Sequence, residues 1–244
     1  MPKFFVKEEN IKDGYIIIDG DNLNHIKNVF RYKVGDSLFL SDGNGMDYCV
    51  QILEENNKYI NSRIIDKYPT NGEPSVGITL YQGIPKSTKM DFIVQKNVEI
   101  GVREIVPVVC ERTIVRFDEK KDIEKKVDRW QKIANEASKQ CGRGIIPSIK
   151  NPIKLKEAFG GLNEFDLSII PYEKERKNTL KDVIKDSIKN IAVFIGPEGG
   201  FSKEEVEMAV NNNVVPVTLG NRILRAETAS IYTNSVIIYE LDQG

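Results

Sequence analysis

Two short blocks near the end of the chain contain the residues best suited to chemistry. The first is residues 196–202, where the apolar segment 191–195 runs into Gly-Pro-Glu-Gly-Gly before a helix pattern. In an open α/β sheet, ligands bind beyond the carboxyl ends of the strands, and glycines there let the backbone approach a ligand closely. The block is neither a Walker loop nor a G-x-G-x-x-G fingerprint. Because the Glu198 carboxylate would repel a phosphate, we expect this block to bind a neutral or cationic ligand. The alternative is a strand–helix turn that binds nothing.

The second block is residues 219–229, Leu-Gly-Asn-Arg-Ile-Leu-Arg-Ala-Glu-Thr-Ala. Arg222 and Arg225 can form forked hydrogen bonds to a phosphate or a base edge, whereas Glu227 favours a cation. The block lies beside the first one if consecutive parallel strands are neighbours. The alternative is a buried Arg–Glu pair that holds the helix on the sheet, and we expect one of the two arginines to form it.

Residue counts restrict other kinds of chemistry. The chain has a single histidine, His25, so a His-rich metal site is excluded and a Ser-His-Asp device would depend on that residue alone. Its amphipathic surroundings favour a structural or RNA-facing role. The three cysteines are odd in number and contain no C-x-x-C pair, so we expect no disulfide framework and no metal. We expect reduced, buried thiols at Cys49, Cys110 and Cys141.

The overall composition is that of a globular protein. The 244 residues include 35 Lys+Arg and 36 Asp+Glu, a formal net charge of −1 that excludes a basic or an acidic tail. This length allows one or two domains. No stretch approaches the roughly 18 apolar residues of a membrane span, and charged residues follow the start too soon for a signal peptide. We therefore expect a cytoplasmic protein.

Charge is nevertheless unevenly distributed. Between Arg112 and Lys150 there are eleven Lys/Arg and six Asp/Glu. Phosphate backbones attract such a patch, but a solvated helix face with internal ion pairs explains it equally well.

The pattern of predicted secondary structure changes at residues 69–74. This segment contains two prolines, a glycine and no apolar residue. This segment is the best domain boundary. Before it, strands are predicted at 15–18, 37–40, 46–53 and 59–68, with a hairpin turn at 42–45. After it, strands alternate with helices, which predicts a mostly parallel sheet covered by helices. The predicted strands there are 76–81, 104–109, 145–149, 166–170, 191–195 and 214–219, and the helices are 89–100, 122–140, 202–211 (with Ser202 and Glu205 in capping-box positions) and 227–240.

Together, the two blocks resemble the bacterial small-subunit (16S) ribosomal RNA methyltransferases that methylate nitrogen-3 of a uridine, a family of the SPOUT superfamily. The rest of the chain agrees. Residues 25–36 are similar to the N-terminal RNA-binding block of that family, and residues 85–102 resemble its first methyltransferase helix. Residues 129–143 match a further block ahead of Pro147. The small departures, at Phe30, Asn97 and Cys141, lie outside the two blocks.

The resemblance implies an α/β architecture with two domains. A small PUA-like RNA-binding β-barrel at residues 1–70 would precede a SPOUT-type α/β methyltransferase domain with a C-terminal trefoil knot at residues 74–244. It also implies S-adenosyl-L-methionine as the methyl donor, 16S rRNA or the small ribosomal subunit as the partner, and a homodimer with active sites near the subunit interface. Periodicity alone would have rejected a knot, because true knots are very rare.

The resemblance also assigns roles to residues. Arg225 would orient the uridine or its developing oxyanion, and Glu198 and Glu227 are candidate proton acceptors or structural partners. In the implied knot, the loops after three strands would close over the cofactor, at the segments around 167–172, 195–200 and 219–224. Residues expected at the cofactor are Leu167, Pro171, Ile195, Gly196, Pro197, Glu198, Gly199, Gly200, Leu219, Gly220, Ile223, Leu224, Arg225 and Ala229. Residues expected at RNA are His25, Lys27, Arg31, Lys33, Lys86, Lys89, Arg112, Arg143 and Arg222.

Two other functions remain open on the sequence. One is a non-catalytic RNA-binding or ribosome-assembly factor on the same scaffold, which would share the basic patch and the barrel. The other is a ribose 2′-hydroxyl methyltransferase of the same superfamily, which would differ only in its product.

Overall fold

The computed structural model describes residues 3–115 and 120–242, which form two compact units. The first contains the residues up to Glu73 together with Ser138–Ile146, and the second contains Pro74–Ala137 and the residues from Pro147 onwards. The sequence-based boundary placed 138–146 in the second domain. In the structure, the Gly144 carbonyl of that segment accepts hydrogen bonds from Ser41 Oγ (3.1 Å) and from the Gly45 backbone N–H (3.2 Å), so the segment packs with the first unit.

The first unit is built on a six-stranded sheet of order β1-β4-β5-β6-β3-β2. The pair β1–β4 is parallel and the other pairs are antiparallel. The predicted hairpin turn between β4 and β5 is confirmed: Asp42 Oδ1 accepts hydrogen bonds from the backbone N–H groups of Asn44 (2.7 Å) and Met46 (3.0 Å). The elements are β1 (Lys3–Phe5), β2 (Ile11–Lys12), β3 (Tyr15–Ile18), α1 (Gly20–Asn24) continued by a π-helical turn (His25–Val29), β4 (Ser37–Ser41), β5 (Met46–Glu55) and β6 (Ile60–Pro69).

The second unit confirms the predicted alternation of strands and helices. The elements are β7 (Gly77–Gly83), α2 (Lys89–Ile100), β8 (Glu104–Val109), α3 (Lys120–Cys141), β9 (Ser148–Ile149), β10 (Ile153–Lys154), α4 (Leu155–Ala158), β11 (Leu167–Pro171), α5 (Leu180–Val183), β12 (Asn190–Ile195), α6 (Lys203–Asn211), β13 (Val215–Val217) and α7 (Ala226–Leu241). A 3-10 helical segment, Phe159–Glu164, precedes β11.

All strand pairs of the second sheet are parallel, in the order β10-β8-β7-β12-β11-β13, with β9 also paired to β8. Both faces are covered, as expected for a parallel sheet. Along β12, Ile191 and Val193 pack into one apolar cluster, whereas Ala192 and Phe194 pack into the other. The Phe194 ring stacks on the Tyr81 ring with centroids 4.5 Å apart.

The strand order corrects one assumption made from the sequence. The strands that precede the two blocks, β12 and β13, are not neighbours, because β11 lies between them. The blocks still reach the same edge of the sheet, since parallel strands all end on one side.

The cysteines are all free thiols, but only Cys110 is buried. Burial raises the pKa of its thiol to about 12, with a further contribution from the nearby Glu205 carboxylate. Cys49 is half-buried and Cys141 is exposed, so the expectation of buried thiols is wrong for Cys141. Among residues 3–115 and 120–242, no helix has the length and apolar character needed to cross a membrane.

Candidate functional site

A cavity of about 240 Å³ lies where β11, β12 and β13 end. Its volume is close to the lower limit of about 300 Å³ for small-molecule sites, and its position at the carboxyl ends of parallel strands is the usual one for ligands in such sheets. Three segments supply the walls, one after each strand. The lining residues predicted for the cofactor are Pro171, Ile195, Gly196, Pro197, Glu198, Gly199, Gly200, Leu219, Gly220, Ile223, Leu224 and Ala229.

Two residues predicted at the cofactor do not line the cavity. Leu167 is the first residue of β11 and packs against the core of the second unit. A strand rises about 3.3 Å per residue, so Leu167 lies about 13 Å along the strand from Pro171, which lines the cavity. Arg225 occupies the N-cap position of α7, with an exposed side chain and with its carbonyl accepting a hydrogen bond from the Ala229 N–H (2.8 Å).

The sequence reading missed part of the lining. Tyr172 lies in the expected segment 167–172, but the next residue, Glu173, was not predicted, although it too follows the carboxyl end of β11, where ligands usually bind. The Tyr172 N–H donates to the Val217 carbonyl (3.0 Å), which fixes this segment beside β13. Tyr172 and Arg222 were expected at the cofactor only as members of the segments 167–172 and 219–224. The lining residues not predicted for the cofactor at all are Glu173, Phe201, Thr218 and Ala226.

The glycine loop after β12 is tightly packed and requires its glycines. The Gly200 N–H donates to the Pro197 carbonyl (2.9 Å) in a turn where Gly200 has a φ of 65°, which favours glycine. A Cβ on Gly196 would lie 3.1 Å from the Gly200 backbone, and one on Gly83 at the end of β7 would lie 2.5 Å from the Pro197 nitrogen.

Helix α6 begins directly after this loop with the predicted capping box, which is confirmed. Ser202 Oγ accepts from the Glu205 N–H (3.2 Å), and Glu205 Oε2 accepts from the Ser202 N–H (2.9 Å). The other carboxylate oxygen of Glu205 accepts from the Glu111 N–H (2.7 Å). Next to it, Arg112 Nη1 donates to the Gly199 carbonyl (2.7 Å), so this arginine, predicted to bind RNA, supports the glycine loop.

Glu198 is held by the segment that follows β7. Its carboxylate accepts from the Lys86 N–H (3.1 and 3.3 Å) and from Lys89 Nζ (3.0 Å). Burial alone would raise the pKa of Glu198, but the hydrogen bonds from Lys89 and from backbone N–H groups outweigh it and lower the pKa. Glu198 is therefore an ionised structural partner. Glu227 differs: its Oε2 is buried, lies 3.9 Å from Lys89 Nζ, and has no hydrogen-bond partner in the described part of the chain.

Comparison with known proteins identifies the family. A model of the RNA methyltransferase domain matches residues 72–238, and a model of the RNA methyltransferase PUA domain matches residues 18–65. The ribosomal RNA small subunit methyltransferase E of Mesomycoplasma hyopneumoniae (strain 232) is 34% identical over 95% of this chain and 96% of its own length. The chain belongs to the ribosomal RNA small subunit methyltransferase E family. The Bacillus subtilis (strain 168) member is 30% identical over 99% of this chain and 98% of its own length.

Solved structures agree with the methyltransferase E assignment. The Neisseria gonorrhoeae ribosomal RNA small subunit methyltransferase E, bound to S-adenosyl methionine, superposes with a TM-score of 0.87 at 31% identity, covering 99% of this chain and 98% of that one. A Legionella pneumophila methyltransferase in complex with the same cofactor gives a TM-score of 0.85 at 30% identity, covering 98% and 97%.

The two arginines of the second block have no ion-pair partner in the part of the chain that the structure describes. Arg222 and Arg225 are both exposed. The expectation that one of them forms a buried Arg–Glu pair is wrong, because the loop before α7 directs both toward solvent. Both guanidinium groups are thus available to an anionic ligand.

The predicted RNA residues of the first unit divide into two groups. His25, Arg31 and Lys33 are exposed, whereas Lys27 is half-buried and donates to the Asn56 carbonyl (2.9 Å). The prediction that Arg143 binds RNA is wrong. Its side chain is only 5% exposed and pairs with Glu73 at 2.8 Å, so it has no surface available to RNA.

Part of the basic stretch between Arg112 and Lys150 is occupied by ion pairs. Arg129 pairs with Asp91, and Lys150 Nζ lies 2.9 Å from Glu104 Oε2. Arg116 lies outside the described residues. Both ion pairs have their acidic partner outside this stretch, so they are not the internal pairs of a helix face, but they do offset the charge of these two basic residues.

Removing the Lys89 ammonium should raise the pKa of Glu198, because the burial that opposes ionisation would remain without its main compensation. In the unchanged chain the folded-state pKa is below the unfolded one, so this carboxylate stabilises the fold above about pH 4.3 and the contribution is lost as pH falls through the folded pKa. For a half-exposed pair the effect is about 0.2–1 kcal/mol. Carboxyl NMR titration of Lys89→Met measures the change.

The control for this titration is Lys96→Met, which removes a similar ion pair, with Glu99, from the same helix. It should leave the Glu198 titration unchanged. An identical Glu198 curve in Lys89→Met and in the unchanged chain would contradict the assigned cause.

Proposed function

We propose that this chain uses S-adenosylmethionine to methylate nitrogen-3 of a uridine in small-subunit (16S) ribosomal RNA. The observation that carries the proposal is the cavity formed where β11, β12 and β13 end, with a glycine loop as one wall. The relatives of similar length, two of them bound to this cofactor, support it.

The residues present fit the cofactor. The glycine loop brings backbone groups to the cavity wall, and a Cβ on Gly83 or Gly196 would crowd that loop. Backbone groups of Gly196, Gly199, Leu219 and Leu224 would hold the adenosine and methionine parts. When bound, the cofactor supplies a methyl group on a positively charged sulfur.

Geometry should contribute most to the rate. Correct placement of two reactants lowers the activation free energy by about 7–11 kcal/mol. One general base, in contrast, accelerates a reaction by a factor of about 10²–10⁴. The unpaired Arg225 would orient the uridine and stabilise negative charge on its carbonyl oxygen. Glu198 and Glu227 are the two candidate acceptors of the imide proton. Glu198 lines the cavity but is held by Lys89, whereas Glu227 is not a lining residue and has a buried Oε2 without a hydrogen bond, 3.9 Å from Lys89 Nζ.

RNA must present an unstacked base to this cavity, which requires additional contacts with the backbone. The first unit offers exposed His25, Arg31 and Lys33 beside the exposed apolar side chains of Val29 and Phe30. The proposal further includes a closed PUA-like barrel, a SPOUT-type trefoil knot around the cavity, a homodimer and a cytoplasmic location.

The test is methyl incorporation into small-subunit RNA, followed by mass spectrometry of the nucleosides. Arg225→Ala is expected to lower incorporation about 10²-fold, as for loss of one group that stabilises an oxyanion, while cofactor affinity changes less than twofold. The control is Arg103→Ala, an exposed arginine just before β8, at the opposite edge of the sheet, which should retain full activity.

The nucleoside product separates the competing functions. A 3-methyluridine supports the proposal, and a ribose-methylated nucleoside would replace it with the 2′-hydroxyl alternative. If the chain binds RNA but incorporates no methyl group into it, the result would support the non-catalytic ribosome-assembly factor instead.

A further inference from the structure

We propose that Glu173 makes the site prefer the methyl donor, whose sulfur is positively charged, over the demethylated product S-adenosylhomocysteine, whose sulfur is neutral. This inference rests on the proposed function, because it assumes that the cavity takes S-adenosylmethionine. It concerns a residue that the two motif blocks did not include.

Glu173 is placed at the cavity by β11, which ends two residues earlier, at Pro171. Its side chain lines the cavity, and its Oε2 lies 3.8 Å from the point where a Cβ on Gly200 would be. The segment is fixed on both sides: the Tyr172 N–H donates to the Val217 carbonyl, and Arg176 Nη1 donates to the Glu173 carbonyl (2.6 Å). The carboxylate therefore lies beside Gly200 of the glycine loop.

Glu173 differs from Glu198, the other carboxylate of the lining, in its partners. The charge of Glu198 is offset by Lys89 at 3.0 Å. The Glu173 carboxylate has no hydrogen-bond or ion-pair partner among residues 3–115 and 120–242. The cationic lining residue, Arg222, belongs to the segment after β13. Glu173 is thus an uncompensated negative charge on the glycine-loop side of the cavity.

Donor and product differ mainly in charge. In the transfer, a bond forms between the uridine N3 electron pair and the methyl carbon, the carbon–sulfur bond breaks with its electron pair left on sulfur, and the N3 proton goes to a base. The sulfur loses its positive charge, while the adenosine, amino and carboxylate groups are unchanged. Apart from contacts with the methyl group itself, the two ligands can be distinguished only by an interaction with the charge on sulfur, and a fixed carboxylate provides such an interaction.

The experiment is calorimetric titration of the full chain with S-adenosylmethionine and with S-adenosylhomocysteine. For Glu173→Gln we expect donor affinity to fall about threefold to tenfold, a modest loss because the carboxylate is exposed and screened, while product affinity changes less than twofold. Glu173→Asp should retain part of the preference. In the unchanged chain, the preference should shrink when salt rises from about 0.05 M to 1 M.

The matched control is Glu164→Gln, which removes the same charge from an exposed position before β11, at the opposite end of that strand. It should leave both affinities unchanged. Equal weakening of both ligands in Glu173→Gln would overturn the inference and indicate a hydrogen bond to a shared group, as would no change in either. If the unchanged chain binds neither ligand, the proposed function fails together with this inference.

Discussion

Gly83→Ala is expected to weaken S-adenosylmethionine binding at least tenfold, although it adds one methyl group. The added Cβ would lie 2.5 Å from the Pro197 nitrogen, 2.6 Å from Pro197 Cδ and 2.8 Å from the Gly196 carbonyl carbon. These contacts are shorter than van der Waals distances and two are with backbone atoms, so the glycine loop must move. Overpacking of this kind costs about 1–3 kcal/mol, and here the displaced atoms form the cavity wall.

Calorimetry with the cofactor and thermal unfolding measure the two consequences of Gly83→Ala separately. Gly160→Ala is the control, because a Cβ at Gly160 meets no atom within 4 Å. It should bind the cofactor like the unchanged chain. Cofactor affinity within twofold of normal in Gly83→Ala would show that the loop tolerates displacement, contrary to its proposed role.

Arg143→Met is expected to lower the free energy of unfolding by about 3–5 kcal/mol, the cost of removing one partner of a buried ion pair. Arg143 donates to Glu73 through Nε and Nη2, at 2.8–3.3 Å, and is only 4% exposed. Glu73 Oε1 also accepts from the N–H groups of Gly144 (3.0 Å) and Ile145 (3.1 Å). Methionine keeps much of the side-chain volume but leaves the carboxylate without its cation.

Denaturant unfolding followed by far-UV circular dichroism gives the size of this loss. Lys7→Met is the control: it removes an ion pair with Glu9 in which the side chains are 76% and 71% exposed, and it should cost less than about 1 kcal/mol. Equal stabilities for the two variants would mean that the Arg143 pair contributes no more than a surface pair.

Local patterns were sufficient to predict the elements whose stabilising contacts are near in sequence. The predicted bounds of α2 and β8 agree with the structure, because α2 has a clear apolar stripe and ends at Gly101, whose φ of 115° favours glycine. Strand β9 is only Ser148–Ile149, shorter than the predicted 145–149. The reason is that Ile145 forms a bridge with Asn44 in the first unit, a partner about a hundred residues away that periodicity does not reveal.

In the candidate site, too, features that depend on residues near in sequence were predicted, and those that depend on distant residues were not. Its glycine segments were predicted because small residues at strand ends are visible in one sequence, and the strand order was not needed to place them on one edge. Glu173 was missed because the segment after Tyr172 has no glycine signal. Arg143 was assigned to RNA because counting charges does not show that Glu73, 70 residues earlier, neutralises it.

The division of the first unit between two stretches of chain affects how it folds during translation. Its last nine residues, Ser138–Ile146, follow Glu73 only after a long stretch of the second unit. At about 5–20 residues per second, the 73 residues from Pro74 to Ile146 take roughly 4–15 s to synthesise. During that interval the nascent N-terminal sheet lacks the cation for Glu73, so the first unit can complete its contacts only after Ile146 has been synthesised.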